Sequence, residues 1–208
     1  TPLVKAYCSD RIFEMGRDGI QILGGYGFTK EYPIEQYTRD CKILSIWDGT
    51  NYIQSADLAG RKLNMAGGRV FMDWVEEVTA FVSDHKSDKT FAQEIALLDE
   101  ALQTIVGLAM DYGRYFQEGK LNLIPLTSTR FLDSMAETAI GHLFLEQGLI
   151  ALAKLETGNL DPADRNFYRG KVDTVRYYCR NFLPQMFGRA RIIRMEDMTA
   201  IQIREEDL

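Results

Sequence analysis

Apolar residues recur every three or four positions along most of this chain, while the strict alternation of a half-buried strand is nearly absent. That periodicity predicts an all-α fold of packed helices. The clearest stripe runs Phe91, Ile95, Leu98, Leu102, Ile105, Ala109, Tyr112 and Phe116. A second passes through Phe131, Met135, Thr138, His142, Leu145, Leu149 and Leu152. A third follows Tyr168, Val172, Val175, Cys179, Phe182 and Met186. Phe71, Trp74, Val78, Phe81 and His85 mark a shorter helix ahead of them. Four such helices with short connections predict an antiparallel bundle.

The first third reads as a separate helical unit. Thr1-Pro2 is a helix start, and Val4, Cys8, Ile12, Met15, Gly19 and Ile22 form one helical face that stops near Gly24-Gly25. Tyr26 to Tyr32 reads as loop. Pro33 opens a helix through about Ser45, which Trp47-Asp48-Gly49 breaks. Thr50 caps a third helix to about Met65, and Gly67-Gly68 ends it. The units are therefore expected at 1–66 and 69–188, with 189–208 a tail whose Ile201 and Ile203 alternate as in an extended arm. Thr90 with Gln93 resembles a capping box, and Asp161-Pro162 with Asp164 opens the last helix.

Composition narrows the function. Hydrophobic residues make up 46% of the 208 residues and charged residues 26%, enough for a sizeable core. The net charge is −6 with no long basic run, which speaks against nucleic acid as the main partner. Arg189, Arg191 and Arg194 are followed at once by Glu196 and Asp197 and read as a solvated surface. Three dispersed cysteines, Cys8, Cys41 and Cys179, suggest neither a disulfide framework nor a metal site. They favour a reducing compartment. His85 and His142 lack metal-ligand spacing, and His142 lies on an apolar stripe, as a core histidine would. No apolar run has the length of a membrane span, and no signal-peptide pattern opens the chain.

The chemically informative stretch is Gln21 to Lys62. It holds Gln21-Ile22-Leu23-Gly24-Gly25-Tyr26-Gly27-Phe28, Glu31-Tyr32-Pro33-Ile34-Glu35, Arg39-Asp40 and Ile46-Trp47-Asp48-Gly49-Thr50. Each alone is an ordinary helix end, ion pair or turn. In this order and spacing they resemble the C-terminal segment of the acyl-CoA dehydrogenase family, with its QxxGGxGY, EYPxE, RD and EGTxxIQ pattern. The likeness is close over residues 2 to 63. Ile53 to Leu63 is similar to long members that carry an additional C-terminal helical domain, such as dehydrogenases of methylmercaptopropionyl-CoA and fatty acyl-CoA. Phe167-Tyr168-Arg169-Gly170-Lys171 and Leu183-Pro184 resemble the closing helix of that domain more weakly.

The resemblance implies FAD-dependent α,β-desaturation of an acyl-CoA, with electrons passed to an electron-transfer flavoprotein, in a homodimer or homotetramer. Removing the weakly acidic α-proton needs a carboxylate in a water-poor pocket. The family's glutamate base falls here on Asp48, whose backbone N–H would also hold the thioester oxygen, as in an oxyanion hole. Trp47 would form an aromatic wall and Gly49 permit close approach. Gln21, Ile22, Leu23, Gly24 and Gly25 would reach the FAD of a neighbouring subunit; Thr50, Asn51 and Tyr52 would touch the cofactor in the chain's own site. A helix N-terminus favours a pyrophosphate. No metal is implied.

Asp48 departs from the pattern by one methylene, which moves its carboxylate back by about 1.5 Å. A displacement of roughly 1 Å can slow a reaction on the order of a hundredfold. The substrate or loop compensates, the base lies elsewhere, or dehydrogenation has been lost while flavin or CoA binding remains. The strand-rich and early helical sequence of the family's flavin and CoA pocket has no counterpart in these residues, so this stretch alone is expected to bind FAD poorly. An acyl-CoA oxidase, a non-dehydrogenating flavoprotein of the same fold, or a helical module serving subunit assembly are the alternatives.

Overall fold

A computed structural model describes residues 1–207. Among them the regular structure is helical throughout, with no strand. Helix α1 spans Pro2–Leu23 and gives way to a 3₁₀ turn, Gly24–Phe28. Helices α2 (Ile34–Cys41), α3 (Ile43–Ile46) and α4 (Asn51–Gly60) follow, then a second 3₁₀ segment, Lys62–Gly68. Four long helices come next: α5 (Arg69–His85), α6 (Ala92–Gln117), α7 (Leu123–Glu156) and α8 (Pro162–Asn181). Helices α9 (Gln185–Arg194) and α10 (Thr199–Gln202) and a 3₁₀ turn, Glu205–Asp207, follow.

The expected bundle is α5 to α8, packed in sequence with α6 also against α8. Leu98, Leu102, Ile105, Phe131, Leu145, Val175 and Cys179 fill its core at 1% exposure or less. Tyr112 and Phe131 meet with ring centroids 5.2 Å apart, and Phe144 meets Tyr178 edge-on at 4.9 Å. His142 is buried against Phe81 at 4.7 Å, a core histidine as its stripe predicts. Burial pushes the Cys179 thiol up to about 12, so it behaves as an apolar filler. Helix α7 is the hub. Its 34 residues, about 51 Å of helix, pack against α1, α4, α6, α8 and α9. Ser55 of α4 and Ser128 of α7 share a buried hydrogen bond at 2.9 Å.

Several helix ends differ from the sequence expectation, each for a local reason. The helix from Pro33 is interrupted at Lys42, where tighter bonds from Lys42 N to Arg39 O and from Ser45 N to Lys42 O replace the α pattern. Helix α4 stops at Gly60 rather than Met65, and Ala66, Gly67 and Gly68 take left-handed backbone before α5. Thr90 does not cap α6. The helix starts behind Phe91 with no side-chain cap, and Asp88 closes the turn ahead of it, accepting from the backbone N–H of Thr90 and Phe91 at 2.8 Å each. Helix α7 begins eight residues before Phe131, with Pro125 tolerated in its first turn. Pro184, which lacks an N–H, separates α9 from α8. Nor do residues 189–207 form an extended arm: α9 runs on to Arg194 with Ala190 and Ile193 buried, and Ile201 lies in α10; residue 208 lies outside the described residues.

Thr50 and Asp161 cap their helices as the sequence indicates. Thr50 Oγ1 accepts from Ile53 N at 3.4 Å, and Asp161 Oδ1 from Asp164 N at 2.9 Å. Thr1 stands at the start of α1 without a side-chain cap bond, and Pro2 occupies the first turn.

Candidate active site

The turn between α3 and α4 does the positioning. Trp47 ends α3 in extended backbone, and Asp48 and Gly49 then adopt φ of +52° and +79°. Two consecutive left-handed residues reverse the chain sharply and lift Asp48 clear of both helices. Aspartate tolerates this region better than most L-residues because its short polar side chain avoids the Cβ clash. At Gly49 a Cβ would lie 2.9 Å from Gln54 Nε2, so glycine fits on both counts. The missing methylene at Asp48 thus goes with a backbone conformation that suits the shorter acid.

Asp48 opens onto a groove of about 420 Å³ between α1 and the α3–α4 turn. Val4, Cys8 and Ile12 of α1, with Leu44 and Trp47 opposite, supply apolar walls; Lys5 and Ser9 supply polar ones. The face Val4-Cys8-Ile12-Met15 is therefore not the face of α1 that packs into the chain. Ala6, Tyr7, Ser9 and Gly16 are buried instead, while Val4 is 70% and Met15 69% exposed. An apolar helical stripe left open beside a carboxylate is the main chemical feature of the surface. Asp48 itself is exposed, so these residues do not by themselves make a water-poor pocket.

The first turn of α4 is tied to α1 through one side chain. Asn51 Oδ1 accepts from Lys5 Nζ at 2.9 Å, and Asn51 Nδ2 donates to the Ser9 hydroxyl at 2.9 Å and the Ala6 carbonyl at 3.2 Å. Periodicity gave no hint of Lys5 and Ser9 as site residues, although their four-residue spacing puts them on one face of α1. Thr50 spends its hydroxyl as the helix cap, and Tyr52 is 53% exposed.

Gln21, Ile22, Leu23, Gly24 and Gly25 lie elsewhere. They close α1 and begin the 3₁₀ turn, all exposed, with Ile22 at 84%. Twelve residues of helix separate Gln21 from Ser9, roughly 18 Å. The structure therefore brings together Trp47, Asp48, Gly49, Thr50, Asn51 and Tyr52, and sets the Gln21–Gly25 segment apart. Arg39 joins neither cluster. It pairs with Glu35 at 3.5 Å and Asp40 at 3.7 Å on the exposed face of α2.

A larger cleft, about 530 Å³, lies between α4, α6 and the start of α7. Its titratable group, Tyr112, bonds to Thr127 at 3.0 Å, so the cleft offers no reactive side chain. No group of three or more His, Cys, Asp or Glu side chains able to hold a metal occurs among the described residues.

Comparison with known proteins covers nearly the whole chain. Residues 1–63 match the family described as "Acyl-CoA dehydrogenase, C-terminal domain", and residues 74–204 that described as "Acetyl-CoA dehydrogenase C-terminal like". A butyryl-CoA dehydrogenase of Syntrophomonas wolfei is 38% identical over 205 residues, 99% of this chain and 33% of that protein. The broad-specificity linear acyl-CoA dehydrogenase FadE5 of Mycobacterium tuberculosis is 32% identical over 209 residues, 98% of this chain and 34% of that protein. Among solved structures, an acyl-CoA dehydrogenase complexed with FAD from Bacillus anthracis superposes with a TM-score of 0.66. At 21% identity over 92% of this chain and 32% of that one, it shows a shared fold. The chain spans about a third of the length of the curated relatives it matches.

Proposed function

The chain belongs to the acyl-CoA dehydrogenase family, and we propose that it supplies the C-terminal helices of an FAD-dependent enzyme that desaturates an acyl-CoA thioester. Residues 1–66 are read as the last helices of the family's C-terminal domain, and 69–188 as an additional bundle braced against them. The observation that carries the reading is the groove: a carboxylate on a left-handed turn faces an apolar wall of Val4, Cys8, Ile12, Leu44 and Trp47. An acyl chain lying on that wall would bring its α-carbon to Asp48.

In this reading Asp48 removes the α-proton, and its backbone N–H donates to the thioester oxygen as negative charge develops there. Trp47 shields one side, and Gly49 leaves room for the thioester. Bound FAD would supply the acceptor for the β-hydride. The residues fit such a group: α4 presents the N–H groups of Asn51 and Tyr52, which have no intrahelical partner in a first turn. Gln21 to Gly25, exposed and away from this turn, are assigned to a neighbouring subunit's FAD, which requires a homodimer or homotetramer. The water-poor enclosure the base requires is assigned to the two-thirds of the relatives' length that these residues do not span.

An electron-transfer flavoprotein is the proposed acceptor and the cytoplasm, or the mitochondrial matrix in a eukaryote, the proposed compartment. No helix among the described residues is long and apolar enough to cross a membrane. The test is anaerobic mixing of the full-length flavoprotein with acyl-CoA thioesters, followed by admission of air or a dye. Flavin bleaching with dye reduction and little peroxide supports a dehydrogenase, peroxide an oxidase, and absence of bleaching by any chain length contradicts the reading.

A further inference from the structure

Asn51 matches a cofactor-contacting position of the family, yet its side chain faces into the protein. A carboxamide offers two donor protons and an acceptor oxygen with two lone pairs. Here Nδ2 reaches both the Ser9 hydroxyl and the Ala6 carbonyl, and Oδ1 takes the Lys5 ammonium at 2.9 Å with Ser9 Oγ 3.1 Å away. Little capacity remains for a ligand. Asn51 stands three residues after Asp48, directly behind the cap Thr50, while Lys5 and Ser9 stand on the wall of the groove.

We propose that Asn51 is a positioning residue: by locking the first turn of α4 to Lys5 and Ser9 of α1, it fixes where the Asp48 turn sits over the groove. The same bond restrains Lys5. The titratable groups sharing the groove with Asp48 are Lys5 and Cys8, both on α1. Lys5 Nζ is committed to Asn51, 46 residues away in sequence, which keeps its charge from collapsing onto the acid. An ammonium paired directly with a carboxylate base lowers its basicity by about one to three pH units. Asn51 would thus hold the base in place and hold the neighbouring cation off it.

This inference rests on Asp48 being the base. The experiment uses full-length FAD-loaded protein mixed anaerobically with butyryl-CoA, and follows the rate of flavin reduction against pH. Asn51→Leu keeps the volume and removes the bonds. In the protein that carries FAD it is expected to slow reduction about ten- to a hundredfold and to lower the pH at which the rate rises by about one unit. Adding Lys5→Met to Asn51→Leu should return the pH limb to its original place while the rate stays low. A merely structural bond would not produce that reversal. Wild-type rate and pH limb in Asn51→Leu would overturn the proposal. Should that variant fail to load FAD, Lys5→Met alone decides: a several-fold slower reduction supports the proposal, and an unchanged rate overturns it. Asp48→Asn is run in parallel. If it reduces flavin normally, the assignment of the base has failed; if it is inactive while Asn51→Leu is normal, only the positioning role has.

Discussion

Arg189 on α9 grips Glu137 on α7 with both ends of its guanidinium, donating from Nη2 to Oε1 at 2.9 Å and from Nη1 to Oε2. Glu137 is 1% exposed, and the Tyr7 hydroxyl of α1 donates to its Oε1 from 3.4 Å. The Tyr178 hydroxyl of α8 donates to the Glu137 carbonyl at 3.2 Å. The carboxylate and carbonyl of one residue on α7 therefore tie together α1, α8 and α9. Burial, with the negative Glu137 beside it, pushes the Tyr7 phenol up to about 12, so Tyr7 stays a donor at ordinary pH.

Breaking that pair should be costly. Arg189→Met strands a buried carboxylate, and a loss of about 3–5 kcal/mol is expected on urea unfolding. Replacing both partners, Glu137→Leu with Arg189→Met, should recover most of it, because no unpaired charge is left. Equal losses in the single and double variants would mean that packing, not charge, dominates.

Two helix-interior glycines should respond in opposite directions to alanine. At Gly148 a Cβ would lie 2.8 Å from Phe91 Cζ and 2.9 Å from Val175 Cγ2, both in the core. Gly148→Ala is expected to destabilise by about 1–3 kcal/mol through overpacking. At Gly113 a Cβ meets nothing within 4 Å. Gly113→Ala should stabilise by up to about 1 kcal/mol through helix propensity. Thermal midpoints of the two variants against wild type provide the check.

Asp133 gives a pH dependence of unusual sign. Burial pushes its carboxyl from 3.8 up to about 6, against the lowering influence of Arg189 and Arg11, with Glu137 and Asp10 adding to the rise. The folded protein then holds a proton that the unfolded chain has released. Stability from this group falls as pH rises from about 4 to 6, and the full penalty applies above that. Carboxylates held low by cations, such as Glu118 and Glu196 beside Lys120 and Arg114, work the other way. The stability of wild type minus that of Asp133→Asn isolates the effect. That difference should decrease between pH 4 and 6; a flat difference would contradict it.

What sequence periodicity reveals here is whatever is repeated locally. The stripes through Phe91 to Tyr112 and Phe131 to Leu152 turn up as buried helix faces, because helical spacing and burial coincide there. Phe116, 70% exposed, departs from its stripe at the helix end. Arg189 was legible only as one of three clustered arginines, since its partner Glu137 lies 52 residues away and leaves no local mark. Thr90 shows the same limit on a smaller scale: the box pattern is there in the sequence, but α6 starts without a side-chain cap and Asp88 takes the Thr90 N–H in the turn before it. At the groove, the acid and aromatic were visible as a motif. The clamp of Lys5, Ser9 and Asn51 was not, since it exists only once α1 and α4 are packed side by side.

The most direct measurement replaces Asp48 with Asn in the full-length enzyme and follows anaerobic bleaching of its flavin by acyl-CoA. Asparagine accepts the left-handed backbone at least as readily as aspartate, so the turn should persist and the loss be chemical. Bleaching should slow on the order of a hundredfold or more, with FAD still bound. Bleaching at the wild-type rate would show that the α-proton leaves to some other group.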